Sequence, residues 1–153
     1  MTSAPNFSLP DQTGATRSLG DYAGQWLVIY FYPKDDTPGC TTEACSFRDA
    51  YDELQQAGIA VVGISKDSVK SHAKFADKYH LKFPLLADES TDTIKAYGAW
   101  QPLKFMGREY LGTARSTFLI NPAGEIAKEY PKVTPKDHAA KILADFHSLQ
   151  ASA

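Results

Sequence analysis

The sequence predicts an α/β fold: a mixed central sheet flanked by helices and preceded by a small N-terminal β-hairpin. Three observations carry this. Short apolar runs rich in β-branched and aromatic residues read as buried strands, the longest being Trp26-Leu27-Val28-Ile29-Tyr30-Phe31-Tyr32. Segments between them repeat apolar residues at helical spacing, as a helix does when it buries one face. Near the end, Ser116–Ile120 and Ile126–Tyr130 flank Asn121-Pro122-Ala123-Gly124, a strong turn signal between two strand-like runs.

Taken in order, Asp11-Gln12-Thr13-Gly14 between Asn6–Leu9 and Thr16–Leu19 predicts the N-terminal hairpin. Trp26–Tyr32 is the central strand, and Pro33 ends it. A loop rich in Pro, Asp and Gly follows, from Pro33 to Gly39. From about Cys40 to Gln56, Ala44, Phe47, Tyr51 and Leu54 recur on one face of a single helix that Gly58 stops. Ile59–Ile64 is a second buried strand. Ser68–Tyr79 is a helix capped by Asp67 or Ser68. Phe83–Ala87 is a short strand and Thr91–Tyr97 a short helix. Trp100, Phe105 and Met106 fall in a less regular stretch, read as packing residues with an entrance-lining or partner-binding role as the alternative. After the hairpin, Thr134, Pro135 and Asp137 open a last helix whose apolar face is Ala139, Ile142, Leu143, Phe146 and Leu149. Strand–helix–strand connections imply parallel pairing, and the hairpin adds antiparallel pairing. This element order is that of the thioredoxin fold.

A chain of 153 residues with 43% hydrophobic and 22% charged residues is expected to form a single domain over residues 1–153. A net charge of −2 gives no electrostatic case for nucleic acid or an anionic membrane as partner. No apolar run approaches the ~20 residues of a membrane span. Met1–Pro10 carries no basic and apolar leader pattern, so a cytoplasmic location is expected. His72, His80, His138 and His147 are scattered without ligand spacing and read as surface or packing residues; neither a metal nor a cofactor is expected.

The two cysteines decide the chemistry. In a reducing compartment they are not expected to form a permanent structural bridge. Cys40 follows the first buried strand and its loop, in the first turn of a helix that Thr37 can cap and that Pro38 suits at its first position. Free backbone N–H groups and the positive end of the helix dipole favour a thiolate there. Such an exposed Pro/Gly loop is the setting of a reactive cysteine and not of a buried one. At 100° per residue, Cys40 shares the sheet-facing stripe with Ala44 and Phe47, while Cys45 lies about 140° away near Asp49 and Asp52. Their Cα atoms are about 8.7 Å apart in an intact helix. A disulfide needs roughly 4.4–6.8 Å. Cys40 and Cys45 therefore bond only if the first turns unwind.

The stretch Pro33-Lys34-Asp35-Asp36-Thr37-Pro38-Gly39-Cys40-Thr41 resembles the Pro-x-x-x-Thr-x-x-Cys signature of peroxiredoxins. Ala4-Pro5-Asn6-Phe7, Phe31-Tyr32-Pro33 and Arg115-Ser116-Thr117-Phe118-Leu119-Ile120 are similar to that family as well. Cys40-Thr41-Thr42-Glu43-Ala44-Cys45, Tyr97-Gly98-Ala99-Trp100 and Tyr110-Leu111-Gly112 resemble its bacterioferritin comigratory protein (BCP, PrxQ) branch. The resemblance implies a thiol peroxidase acting on hydrogen peroxide or alkyl hydroperoxides. It implies Cys40 as the peroxidatic cysteine, oxidised to a sulfenic acid, and Cys45 as the resolving cysteine that forms an intramolecular disulfide. Thr37 and the N–H groups of Gly39 and Cys40 would serve the thiolate or the peroxide. Arg115 would hold the thiolate and polarise the peroxide, with Glu43 as a weaker candidate for holding Arg115. Pro33 would shield the sulfur. Thioredoxin or a similar dithiol would restore the thiols, and the protein would be a monomer.

Three other functions compete. A thioredoxin-type disulfide oxidoreductase normally carries Cys-x-x-Cys, which the Cys-x4-Cys spacing, Thr37 and Arg115 oppose. A thiolate metal chaperone needs both sulfurs on one face, which the angular separation opposes. A non-catalytic interaction domain fits the surroundings of Cys40 least.

Overall fold

The computed structural model describes residues 2–151. An N-terminal hairpin pairs β1 (Ser8–Pro10) antiparallel with β2 (Thr16–Ser18). The chain continues through β3 (Trp26–Phe31), α1 (Pro38–Asp49), α2 (Tyr51–Gln56), β4 (Ile59–Ser65), α3 (Val69–Tyr79), β5 (Leu85–Ala87) and α4 (Asp92–Ala96). It ends with β6 (Trp100–Phe105), β7 (Arg108–Thr113), β8 (Ser116–Ile120), β9 (Ile126–Tyr130) and α5 (His138–Ala151).

The main sheet has the order β5-β4-β3-β8-β9. β3 runs parallel to β4 and antiparallel to β8, so the sheet is mixed as expected. Alternation along β3 divides the core. Val28 and Tyr30, with Tyr32 just beyond, face Phe47 of α1, Phe75 of α3 and Ile142 of α5. Leu27, Ile29 and Phe31 face Ile94 of α4 and the N-terminal Phe7. Both faces are covered, which is why the strand reads as a continuous apolar run. Each such side chain contributes about 1.5–3 kcal/mol by leaving water.

α1 is docked by aromatic stacking. The Tyr30 and Phe47 rings lie 4.7 Å apart at 16°. Tyr30 fits because position 63 is glycine: a Cβ there would sit 2.7 Å from Tyr30 Cζ.

Three expectations are corrected. The helix expected over Cys40–Gln56 is two, broken at Ala50 (φ −95°, ψ 4°), so the chain turns slightly and keeps both Phe47 and Leu54 in the core. The less regular stretch after Gly98 is the β6–β7 hairpin, closed by Met106 and Gly107, both at positive φ (52° and 79°). That is the backbone of a tight hairpin turn, normally announced by Asn-Gly or Asp-Gly. Met106 stands exposed at its tip, Trp100 packs beside the core, and the side chain of Phe105 lies outside the described residues. The last helix starts at His138, not at Thr134 or Pro135. Asp137 has φ 59°, which a right-handed helix cannot contain; its carbonyl accepts the first helical bond, from Lys141 N.

The topology gathers several elements at one edge. Phe31 pairs with Ser116 and with Ile64, and Ile64 with Leu86. The loop after β3, the start of β8 and the ends of β4 and β5 therefore meet at the carboxyl ends of the parallel strands, where α/β folds build their sites.

Candidate active site

Cys40 is the third residue of α1. Pro38 has no N–H to lose, and the N–H groups of Gly39 and Cys40 precede the first intrahelical bond, which Thr41 N makes to Thr37 O at 2.8 Å. Arg115 precedes Ser116, which the β3–β8 register places beside Phe31. That brings its guanidinium over the start of α1. Nη2 donates to Cys40 Sγ at 3.4 Å, and Nη1 donates to Glu43 Oε1 at 2.9 Å. Glu43 lies one turn after Cys40 and is fully buried. Burial raises its pKa to about 7, although the Arg115 charge and hydrogen bond oppose the rise. Burial likewise disfavours the charge on Arg115, but Cys40 and Glu43 outweigh it and hold the guanidinium more firmly protonated.

Gly39 lets the guanidinium come this close. A Cβ at position 39 would meet Arg115 Nη2 at 2.9 Å and Pro135 Cγ at 3.8 Å. Thr37 takes the N-cap backbone conformation (φ −99°, ψ 156°), but its side chain does not cap. Its hydroxyl donates to Lys34 O at 2.8 Å, so its oxygen is left as an acceptor. Pro33 is half-buried where the loop begins.

Cys40 itself is only 1% exposed, which corrects the expectation that its loop would leave it open. The same stripe that carries it onto the sheet side, with Ala44 and Phe47, buries the sulfur. Cys45 is half-buried, on the hollow formed by Thr41, Thr42, Ser46, Asp49, Lys136 and Asp137. Burial raises the Cys45 pKa; Arg48 opposes this and Asp49 adds to it. Both thiols are free and α1 is unbroken between them, so the structure brings Cys40, Glu43 and Arg115 together and keeps Cys45 apart.

Two histidines are more than scattered packing residues. His138 donates to or accepts from Thr117 Oγ1 through Nε2 at 2.9 Å, with its ring against Phe47 and Tyr130. Burial, then Lys141 and Arg115, lower its pKa to about 4. His72 is fully buried against Asp35, a residue of the loop that leads into α1, with Nδ1 2.7 Å from Oδ2. Sequence reasoning missed this pair. Its available signal was a histidine on the same helical stripe as Phe75 and Ala76, where a buried ring needs a polar partner.

Comparison with known proteins agrees with this geometry. The model of the AhpC/TSA family matches residues 1–129. Peroxiredoxin Bcp of Bacillus subtilis is 46% identical over 140 residues, covering 92% of this chain and 89% of its own length. The chain belongs to the AhpC/TSA family. Peroxiredoxin Bcp of Escherichia coli is 44% identical over 140 residues, covering 92% of this chain and 90% of its own. Among solved structures, a cysteine-to-serine variant of Xylella fastidiosa PrxQ superposes with a TM-score of 0.90 at 33% identity, covering 98% of both chains. The Xanthomonas campestris bacterioferritin comigratory protein, solved in work on its alkyl peroxide reduction, superposes with a TM-score of 0.88 at 39% identity, covering 93% of this chain and 90% of that one.

The fold is thus the thioredoxin fold of the peroxiredoxins, on the Bcp/PrxQ branch, as the Cys-x4-Cys spacing implied. As a peroxiredoxin the chain is a thiol peroxidase: it reduces peroxides and is recycled by thiol electrons. Among the described residues no group of three or more His, Cys, Asp or Glu is arranged to hold a metal ion. No helix among them is long and apolar enough to cross a membrane.

Proposed function

We propose that Cys40 is the peroxidatic cysteine of this peroxidase and Cys45 its resolving cysteine. The contact of Arg115 Nη2 with Cys40 Sγ, beside the free N–H groups of the first turn of α1, carries the assignment. The Cys40 thiolate attacks one peroxide oxygen. An S–O bond forms, the O–O bond breaks, and the leaving oxygen takes a proton and departs as water or alcohol. Sulfur is oxidised to the sulfenic acid. Arg115 polarises the peroxide without changing its own protonation. Thr37 has spent its hydroxyl proton on Lys34 O, so toward the substrate it accepts, and the peroxide O–H donates to it. Gly39 N–H and Cys40 N–H complete the cradle, and Pro33 keeps an apolar ring at the loop's start.

The Cys45 thiolate then attacks the Cys40 sulfenic sulfur; an S–S bond forms and hydroxide leaves, protonated to water. An external dithiol reduces that disulfide by two exchange steps. The substrates are hydrogen peroxide and organic hydroperoxides. The Xanthomonas relative's alkyl peroxide reduction supports the second. The reductant is thioredoxin or a similar dithiol, and the enzyme works as a cytoplasmic, single-domain monomer, because Cys45 supplies within one chain the thiol that a partner subunit would otherwise bring.

The test is peroxide consumption coupled to NADPH through thioredoxin and its reductase. Cys40→Ser is expected to show no turnover. Cys45→Ser reacts once, forms a trappable sulfenic acid and recycles poorly. Full activity of Cys40→Ser overturns the assignment.

A further inference from the structure

Asp35 lies two residues after Pro33, in the loop that leads to Cys40, yet its side chain points away from the cysteine into a buried polar cluster. Tyr32 Oη donates to Oδ1 at 2.5 Å and Ser71 Oγ to Oδ2 at 2.7 Å. His72 Nδ1 lies 2.7 Å from Oδ2, and His72 Nε2 lies 2.9 Å from Leu86 O. Both ring nitrogens thus have oxygen partners, as a fully buried ring requires. His72 is 0% exposed and Asp35 8%. The backbone of the loop is held as well: Asp35 N donates to Asp67 Oδ2 at 2.9 Å. The next residue, Asp36, takes Lys78 Nζ and Tyr79 Oη, each at 2.8 Å. Apart from the local bond of Tyr32, these ties lead to α3, to the segment that enters it, or to β5.

From Thr37 onward the pattern changes. Thr37 Oγ1 bonds to Lys34 O, Thr41 N to Thr37 O, and Thr42 Oγ1 to Pro38 O, all within four residues. Among the described residues, the hydrogen-bonded tie of the first two turns of α1 to distant chain is Arg115, through Cys40 and Glu43. Apart from the bonds of Arg115, the hydrogen bonds from Thr37 to Cys45 are therefore local, whereas Asp35 and Asp36 are tied to distant chain.

We infer that Asp35 and His72 are positioning residues: they clamp the catalytic loop to α3, hold Cys40 in its folded, peroxide-reactive place, and set Asp36 as the fixed boundary at which the unwinding of α1 stops. This rests on the roles proposed above for Cys40 and Cys45. The clamp acts with opposite sign on the two chemical steps. It favours attack on peroxide, which needs the intact first turn, and it opposes disulfide formation, which needs that turn undone. Loosening it also gives the sulfenic acid less time to meet a second peroxide.

The experiment uses stopped-flow kinetics of His72→Gln and of the milder Ser71→Ala, which removes one donor to Asp35 at a half-buried site. Each is made in the parent chain and with Cys45→Ser. With Cys45→Ser, the rate of sulfenic acid formation is expected to fall, by about tenfold or more for His72→Gln, as for other small misplacements of a reacting group, and by less for Ser71→Ala. In the parent chain, the following disulfide step is expected to speed up, and the fraction overoxidised at high peroxide to drop. A general loss of structure slows both steps. Two phases that fall together, or that do not move in either variant, overturn the clamp while leaving the cysteine roles intact. Peroxide oxidation that persists undiminished in Cys40→Ser overturns the cysteine roles, and the clamp with them. Should His72→Gln fail to fold, the opposite movement of the two phases in Ser71→Ala decides.

Discussion

Replacing Gly39 by alanine separates stability from activity. Gly39 is the second residue of α1 and is not among the glycines with positive φ. An alanine is therefore free of backbone strain there. Removing glycine's freedom in the unfolded chain stabilises by about 0.4–1 kcal/mol. The added Cβ, however, would stand 2.9 Å from Arg115 Nη2. An ordinary contact of this kind needs about half an ångström more. The guanidinium cannot slide toward Glu43, because Nη1 already bonds to the buried Oε1 at 2.9 Å. It must swing, and the swing lengthens the 3.4 Å contact with Cys40 Sγ. At an effective dielectric of about 20, moving two unit charges from about 3.4 to about 3.9 Å removes about 0.6 kcal/mol of attraction, close to threefold in rate. Poorer N–H···S alignment takes the loss toward about tenfold. The assay is a pair of measurements: chemical denaturation for stability, and stopped-flow oxidation by hydrogen peroxide for rate. The expected variant is slower and close to the parent in stability, because the weakened Arg115 contact offsets the gain from the unfolded chain. If its oxidation rate matches the parent's while its stability rises, Arg115 is not held in place by its two partners, and the reasoning fails.

Two further outcomes follow from α1. The Glu43 carboxyl has its pKa raised from the ordinary 4.5 to about 7, so between those values the folded state binds more protons than the unfolded chain. Stability from this group is thus lost as pH rises from 4.5 to about 7 and is level outside that window. His138, lowered from 6.5 to about 4, works with the other sign, losing stability as pH falls through that range. The difference in unfolding free energy between parent and Glu43→Gln, followed from pH 4 to 8, isolates the first, and a difference that is flat or rises with pH contradicts it. Separately, amide hydrogen exchange across residues 37–48 is expected to accelerate when the protein is oxidised, since the disulfide cannot form on an intact α1; unchanged protection there would contradict the unwinding.

What the sequence made legible follows the range of the interactions. Strand ends and the two hairpins flanked by Gly14 and Gly124 were readable because apolar alternation and turn chemistry are local. The β6–β7 hairpin was not, because Met106 occupies a positive-φ position where the signal is usually Asn or Asp. The break at Ala50 was hidden because Phe47 and Leu54 keep a helical spacing across it. The start of α5 was misjudged because Thr134 and Pro135 look like a cap, while the left-handed Asp137 and the bond of Ala139 N to Ser46 Oγ, at 3.0 Å, decide the boundary from elsewhere in the chain. In the candidate site, the approach of Arg115 to Cys40 was anticipated by the resemblance. Asp35 and His72 were not. They are 37 positions apart, and only the sheet edge brings them together.

On the roles proposed for Cys40 and Cys45, their spacing also bears on how the cycle closes. In the reduced form Cys40 is 1% exposed, so no protein thiol can reach its sulfur. Cys-x-x-Cys would place both sulfurs within bonding reach on an intact helix and leave the first one where it is. Cys-x4-Cys does not. Its Cα atoms start about 8.7 Å apart and must come within about 6.8 Å. Forming the bond therefore drags Cys40 out of its buried place toward Cys45, which is half-buried and borders an open hollow. Cys45 is then the sulfur that an external dithiol can attack. The thiolate that leaves is Cys40, and it returns to Arg115 and the free N–H groups of α1, the groups best able to hold its charge. Thiol–disulfide exchange proceeds fastest when the departing sulfur is the better-stabilised thiolate. The same contacts that ready Cys40 for peroxide thus favour its release from the disulfide, and the rewinding of α1 draws both reactions into one cycle.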